Sequence, residues 1–166
     1  MAKWTMDISK YAKKKGVEIK EVRKAYAFAL YTSIVKKTPV DTGRARGNWN
    51  VSVGSADNSV DEKITKNQVP AKMKKNKAEL EKAKGDESIF ISNNLPYITT
   101  LEYGGYPSPV EKGTWVKGKG KKVGHYEVRS EGGFSKQALE GMVGVTLANN
   151  ENIFNSAVRA VKGKSR

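Results

Sequence analysis

Side chains able to do acid–base or metal chemistry are few in this chain, and they are scattered. The one histidine, His125, stands among glycines and lysines. A lone imidazole cannot build a multi-histidine zinc site, and no serine or carboxylate is placed beside it, so it reads as an exposed loop residue. Asp57, Asp61 and Glu62 lie close together but lack the ligand spacing of a calcium loop. Glu102, next to Tyr103 on a short predicted helix, has the look of a general acid; the plainer reading is a carboxylate at a helix end. Gly118 and Gly120 recur between Lys117 and Gly124. No strand leads into them and no helix opening with Lys-Ser/Thr follows, so they do not make a phosphate-cradling loop. With no cysteine, disulfides, thiolate chemistry and sulfur-ligated metals are excluded. No catalytic residue, metal or cofactor is expected.

The remaining chemical signal is positive charge. Lysine and arginine total 31 against 17 acidic residues, a net charge of +14. Such a balance attracts polyanions or acidic protein faces. Lysine outnumbers arginine, which suits a diffuse field better than bidentate base reading. The lysines cluster twice. Lys72, Lys74, Lys75 and Lys77 fall in a polar stretch over residues 55–87; Lys117, Lys119, Lys121 and Lys122 fall in a Gly/Lys-rich stretch over 106–133. These eight are the candidate contacts to a partner protein or to DNA. Neutralising phosphates would release counterions, but aromatic interleaving is thin, with Trp115 and Tyr126 alone beside the second cluster.

The elements that must carry these residues can be traced along the chain. Residues 6–15 could form a short helix closed by Gly16. A clearer helix runs from Val17 to Lys37, where Ile19, Val22, Tyr26, Ala29, Leu30, Ser33 and Ile34 recur at three- and four-residue steps. Pro39 ends it, and Asp41 or Thr42 can cap the next short turn. Trp49, Val51 and Val53 then alternate with Asn48, Asn50 and Ser52, the period of a half-buried strand. Residues 55–87 are read as a long insertion between strands, partly helical at best, with Met73, Leu80 and Ala83 as a thin apolar stripe. Ile89-Phe90-Ile91 resumes as a strand, turned by Asn93–Pro96. Tyr97, Ile98 and Leu101 form a short helix that Gly104-Gly105 ends. Trp115, Val116, Val123, Tyr126 and Val128 flank a lysine-rich tip, so 106–133 is read as a hairpin excursion. A helix over Asn150–Lys162 ends the pattern; just before it, Val143, Val145 and Leu147 fit either strand or helix.

A length of 166 residues suits one domain, and the expected fold is α+β over 1–166. A small antiparallel sheet packs on the long helix and the C-terminal helix, with two lysine-rich excursions. The first residues lack the apolar run of a signal peptide, and no window is long enough to span a bilayer. A soluble chain made in a reducing cytoplasm, with no membrane partner, is expected.

The order of motifs resembles the minor tail component family of tailed bacteriophages, the neck and tail-completion group related to the lambda tail protein Z. The residues that carry it are Thr38-Pro39-Val40-Asp41-Thr42-Gly43-Arg44 before a Trp-bearing strand, then Ile91-Ser92-Asn93-Asn94-Leu95-Pro96-Tyr97, Leu101-Glu102-Tyr103-Gly104 and Gly141-Met142-Val143. The resemblance covers most of the chain outside 55–87 and 106–133. It implies a non-catalytic virion protein of the neck or upper tail, made in the host cytoplasm. It also implies a homo-oligomer, a sixfold ring that meets other neck and tail proteins and packaged DNA. Pro39, Asp41, Thr42, Gly43, Pro96, Tyr97 and Gly104 are expected as structural corners, which in a ring would present a repeating edge. The alternative is a non-specific nucleic-acid-binding protein acting through its lysine-rich loops; a nuclease would need clustered carboxylates or histidines. Chain lacking residues 63–84 is expected to fold but to assemble poorly.

Overall fold

The computed structural model describes residues 18–118, 120 and 122–164; the helix expected over 6–15 lies outside them. The architecture is α+β, built around helix α1, Ile19–Lys37. Its apolar side chains serve two neighbours. Val22 and Tyr26 face the C-terminal helix α6, Asn150–Lys164, where the Tyr26 ring meets Phe154 edge-on at 5.3 Å and Val158 completes a small cluster. Ala27, Tyr31, Ile34 and Val35 face the larger core. Ile19, expected on the buried stripe, is instead exposed at the first turn.

The end of α1 is closed three times over. Thr38 donates its hydroxyl to the Ile34 carbonyl at 2.8 Å and accepts the indole N–H of Trp49 at the same distance. Arg46 reaches back to the carbonyls of Thr38 and Lys36, placing a cation on the negative end of the helix. Pro39 forbids a further turn. The chain then bends through Asp41–Gly43 into α2, Arg44–Gly47. Of the two expected caps, Thr42 accepts the Arg44 amide, at a long 3.3 Å, whereas Asp41 pairs with Arg129.

Strand β1, Asn50–Val53, pairs antiparallel with β2, Ile89–Ser92, in the register Val51↔Ile91 and Val53↔Ile89. The alternation of Trp49, Val51 and Val53 predicts a strand with a wet face, but both faces are covered near its start. Asn48 and Asn50 are buried under the following loop. Asn48 bridges the Asp61 backbone in both directions, at 2.9 and 2.7 Å, and Asn50 donates to the Ser59 carbonyl. Asn48 is tolerated inside because the loop backbone both donates to it and accepts from it, whereas the Oδ1 of Asn50 is buried with no hydrogen-bond partner among the described residues.

Residues 55–87 are, as the sequence reads, an insertion between β1 and β2 that is in part helical, with Leu80 and Ala83 buried and Met73 packed beside them; what the reading lacks is that the segment belongs to the core. A 3-10 turn, Lys66–Gln68, opens with a capping box in which the Thr65 hydroxyl and the Gln68 side chain each serve the other's backbone, and Pro70 sits in the first turn of helix α3, Val69–Glu81. Val69, Asn76 and Leu80 are buried, with Met73 packed beside them, on the 3.6-residue period. Asn76 is the reason the stripe looks thin. Its amide donates to the Tyr31 hydroxyl at 2.9 Å and the Trp49 carbonyl at 2.8 Å, tying α3 to α1 and β1. Removing 63–84 would strip Ile64, Val69, Leu80 and Ala83 from the interior, which argues against the expectation that such a chain folds.

Helix α4, Ile98–Tyr103, follows the Asn93–Pro96 turn and ends at Gly104, whose φ of 82° favours glycine. The expected hairpin is present as β3, Thr114–Val116, with β4, His125–Glu127. A smaller one follows, β5, Ser130–Glu131, with β6, Phe134–Ser135. Val143–Ala148 is helix α5, not a strand, and Asn149 separates it from α6.

Candidate functional site

Five of the seven sequence corners, Pro39, Asp41, Thr42, Gly43 and Tyr97, line one cleft; Pro96 and Gly104 do not. Pro39–Ala45 forms one wall, Tyr97 and Leu101 another, and Tyr106 with Pro107 and the base of the β3–β4 hairpin close it, around a volume of about 390 Å³. Arg129 spans the opening: its guanidinium meets Asp41 at 2.9 Å and Glu127 at 2.9 Å, and those two carboxylates hold its pKa above the usual arginine value. Arg44, at the start of α2, pairs with Glu62. Burial pushes up the hydroxyl pKa of both Tyr97 and Tyr106. Arg129 and Arg44 are each matched to carboxylates, whereas Lys112 at the hairpin base lies over the Tyr126 ring.

Gly43 shows how tightly this corner is built. It has φ 95°, and a Cβ added to it would lie 2.3 Å from the Lys66 amide nitrogen, itself bonded to the Thr42 carbonyl at 2.7 Å. One turn on, a Cβ at Gly47 would lie 2.5 Å from Ile64. The two glycines clear a smooth face on which the segment leading into α3 lies. Pro96 and Tyr97 are exposed, Pro39 is half-buried and Gly43 is buried.

Glu102 does have a defined task. One carboxylate oxygen accepts the amides of Met142 and Val143, both at 2.8 Å, and the other accepts Gly144 at 2.8 Å. Those are the free N–H groups at the start of α5, where negative charge is favourable. The helix-end reading of Glu102 was correct in kind, but the helix end belongs to another element some forty residues away. The acids Asp57 and Asp61 each accept an amide two residues on, from Ser59 and Lys63, and shape the loop over Asn48 and Asn50. Hydrogen bonds from Ser59 lower the Asp57 pKa. Among the described residues no group of three or more His, Asp or Glu side chains is placed to hold a metal ion.

The candidate lysines divide. Lys72 is half-buried, its pKa lowered first by burial and then by neighbouring Lys75, with Asp57 and Asp61 opposing. Lys77 holds its ammonium 5.7 Å from the Phe28 ring centre. Lys74 and Lys75 are exposed on α3, and Lys117 and Lys122 on the hairpin; Lys119 and Lys121 lie outside the described residues. The two clusters are thus carried by different elements. His125 is exposed as expected, although on strand β4, opposite Val116.

Comparison with protein-family models, with curated proteins and with solved structures finds no match to this chain.

Proposed function

We propose that this chain is a non-catalytic virion subunit of a tailed bacteriophage, a neck or tail-completion protein that assembles into a ring. It works through shape and charge at contacts with neighbouring virion proteins. One observation carries the reading: segments that resemble the family, though spread over a hundred residues, are bonded into one unit. Asn93 donates to the Ala45 carbonyl at 3.0 Å, joining the second motif to the helix that follows the first. Glu102 holds Met142 and Val143, joining the third motif to the last. Leu101 and Tyr97 line the same cleft as Pro39–Arg44.

The sixfold symmetry comes from the resemblance, and packaged DNA and the adjoining neck and tail proteins are the partners it implies. Among the described residues no helix is long and apolar enough to cross a membrane. The alternative, non-specific nucleic-acid binding, keeps exposed lysines on both clusters; Lys72 is half-buried, whereas Lys77 is exposed beside the Phe28 ring.

The test is to purify particles of the phage that encodes the chain, identify their proteins by mass spectrometry and image the head–tail junction. A ring of this chain at that junction is the expected result. Particles that lack it, or turnover of nucleic acid by the purified chain with added divalent metal, would overturn the reading.

A further inference from the structure

The assembly reading leaves open which surface meets which neighbour, and the β3–β4 hairpin answers part of that. Among the described residues it pairs with no third strand, and a two-stranded ribbon alone is marginal in water. Its own side chains nonetheless hold it in a defined shape. Trp115 and Tyr126, paired across the strands, meet edge-on at 5.1 Å, and the Lys112 ammonium sits 4.9 Å from the Tyr126 ring centre. The Trp115 ring lies so close over Gly124 that an added Cβ would be 2.4 Å from it. That ordering buries little: Trp115 is 54% exposed, Tyr126 53% and Val123 86%. Over residues 112–128 the chain has five lysines and one glutamate, Glu127, which Arg129 engages.

We infer that this hairpin is the arm by which the chain docks onto a different virion protein, one presenting an apolar recess rimmed by carboxylates. The inference rests on the assembly reading. Charge at the arm itself argues against the same hairpin of a second copy as the occupant, because its five lysines would meet five more and its one glutamate is already engaged by Arg129; ring contacts elsewhere on the chain are untouched by this. Nucleic acid is disfavoured by the apolar surface. Val123 gains nothing from phosphates, and the Tyr126 ring already has Lys112 near it and Trp115 against it, leaving less of it for a base to stack on. A preordered Trp–Tyr pair with a basic surround is instead the make-up of an interface hot spot that seats in an apolar pocket.

The experiment supplies the double variant Trp115→Ala/Tyr126→Ala, and separately Lys117→Glu/Lys122→Glu, to phage lacking the wild-type gene, and measures the chain's abundance in purified particles. Unchanged circular dichroism and melting establish that the exposed changes leave the body folded. Incorporation of each variant should fall about tenfold or more relative to wild type. A photo-cross-linking amino acid at Val123 should join the wild-type background chain to another virion protein, at a surface of net negative charge. Normal incorporation of both variants, or cross-links only to DNA or to a second copy, would overturn the docking arm while leaving the assembly reading intact. Wild-type chain absent from particles would remove that reading and the arm with it.

Discussion

Residues 55–87 and 106–133 are both lysine-rich, both leave the core between elements, and both contain few large apolar side chains. In the first, those few are spent inward: Ile64, Val69, Leu80 and Ala83 are all buried, and Asn76 turns its amide onto Tyr31 and Trp49. In the second, Trp115, Val123, Tyr126 and Val128 remain exposed. Composition does not separate the two; position along a helix does. On α3 a 3.6-residue period gathers thin apolar content onto one face, whereas a two-stranded ribbon that pairs with no third strand among the described residues leaves its large side chains exposed. Lysine content by itself says nothing about whether a segment is core or appendage.

The difference is broken most directly by paired deletions. Chain lacking 63–84 is expected to lose cooperative unfolding altogether, because four interior apolar side chains and both Asn76 bonds go with it. Replacing residues 115–126 by two glycines, which keeps the Thr114–Glu127 pairing at the hairpin base, should leave a sharp melting transition within a few degrees of wild type. Circular dichroism on both proteins checks it. If the first melts like wild type, α3 is an appendage after all.

A smaller effect comes from two glycines with positive φ, one in each setting. Gly43→Ala forces a Cβ onto the Lys66 backbone at the point where the segment leading to α3 crosses the corner. Left-handed backbone costs about 1–2 kcal/mol and overpacking a further 1–3, so a loss of about 3 kcal/mol is expected in urea unfolding. Gly120, at the hairpin tip with φ 63°, has open space around it. There only the backbone contributes, and Gly120→Ala should cost about 1 kcal/mol at most. Equal costs would mean that residues 65–66 do not pack on the corner.

Much of this was open to inspection in the sequence. Periodicity located α1 and Pro39 marked its end, but of the stripe it picks only Val22 and Ile34 are buried, and the core-facing Ala27, Tyr31 and Val35 lie outside that stripe. The strand at Ile89, the short helix ending at Gly104 and the hairpin around the lysine-rich tip were legible for the same reason, since apolar period and glycine punctuation coincide there. Helix α3 was legible only in part: Met73 and Leu80, with Ala83 just past its end, mark its inward stripe, but periodicity arguments count apolar residues, and its central inward position is Asn76. A signal was nonetheless available: Thr65-Lys66-Asn67-Gln68 followed by Pro70 is a capping box leading to a first-turn proline. Asn48 and Asn50 misled in the same way, since polar residues on a strand suggest solvent unless a loop returns to bond them. The Glu102 clamp on α5 could not be read at all. It joins residues forty positions apart, and no local pattern encodes which helix start a carboxylate will reach.

Asn76 also provides the finest test of the comparison, since it is the polar residue that makes α3 look like a loop. In Asn76→Ala the Tyr31 hydroxyl loses the donor given to it and the Trp49 carbonyl loses one of its own, both in the interior. A buried acceptor left unmade costs about 1–3 kcal/mol, so unfolding free energy should fall by about 2 kcal/mol, with little change in the denaturant slope. Trp115→Ala removes a far larger side chain, but from a surface that the isolated fold does not bury, and should shift stability by no more than about 0.5 kcal/mol. Area alone would rank these two substitutions the other way. If Trp115→Ala proved the more destabilising, the hairpin would have to be part of the folded body, and its aromatic pair would need a partner within the chain.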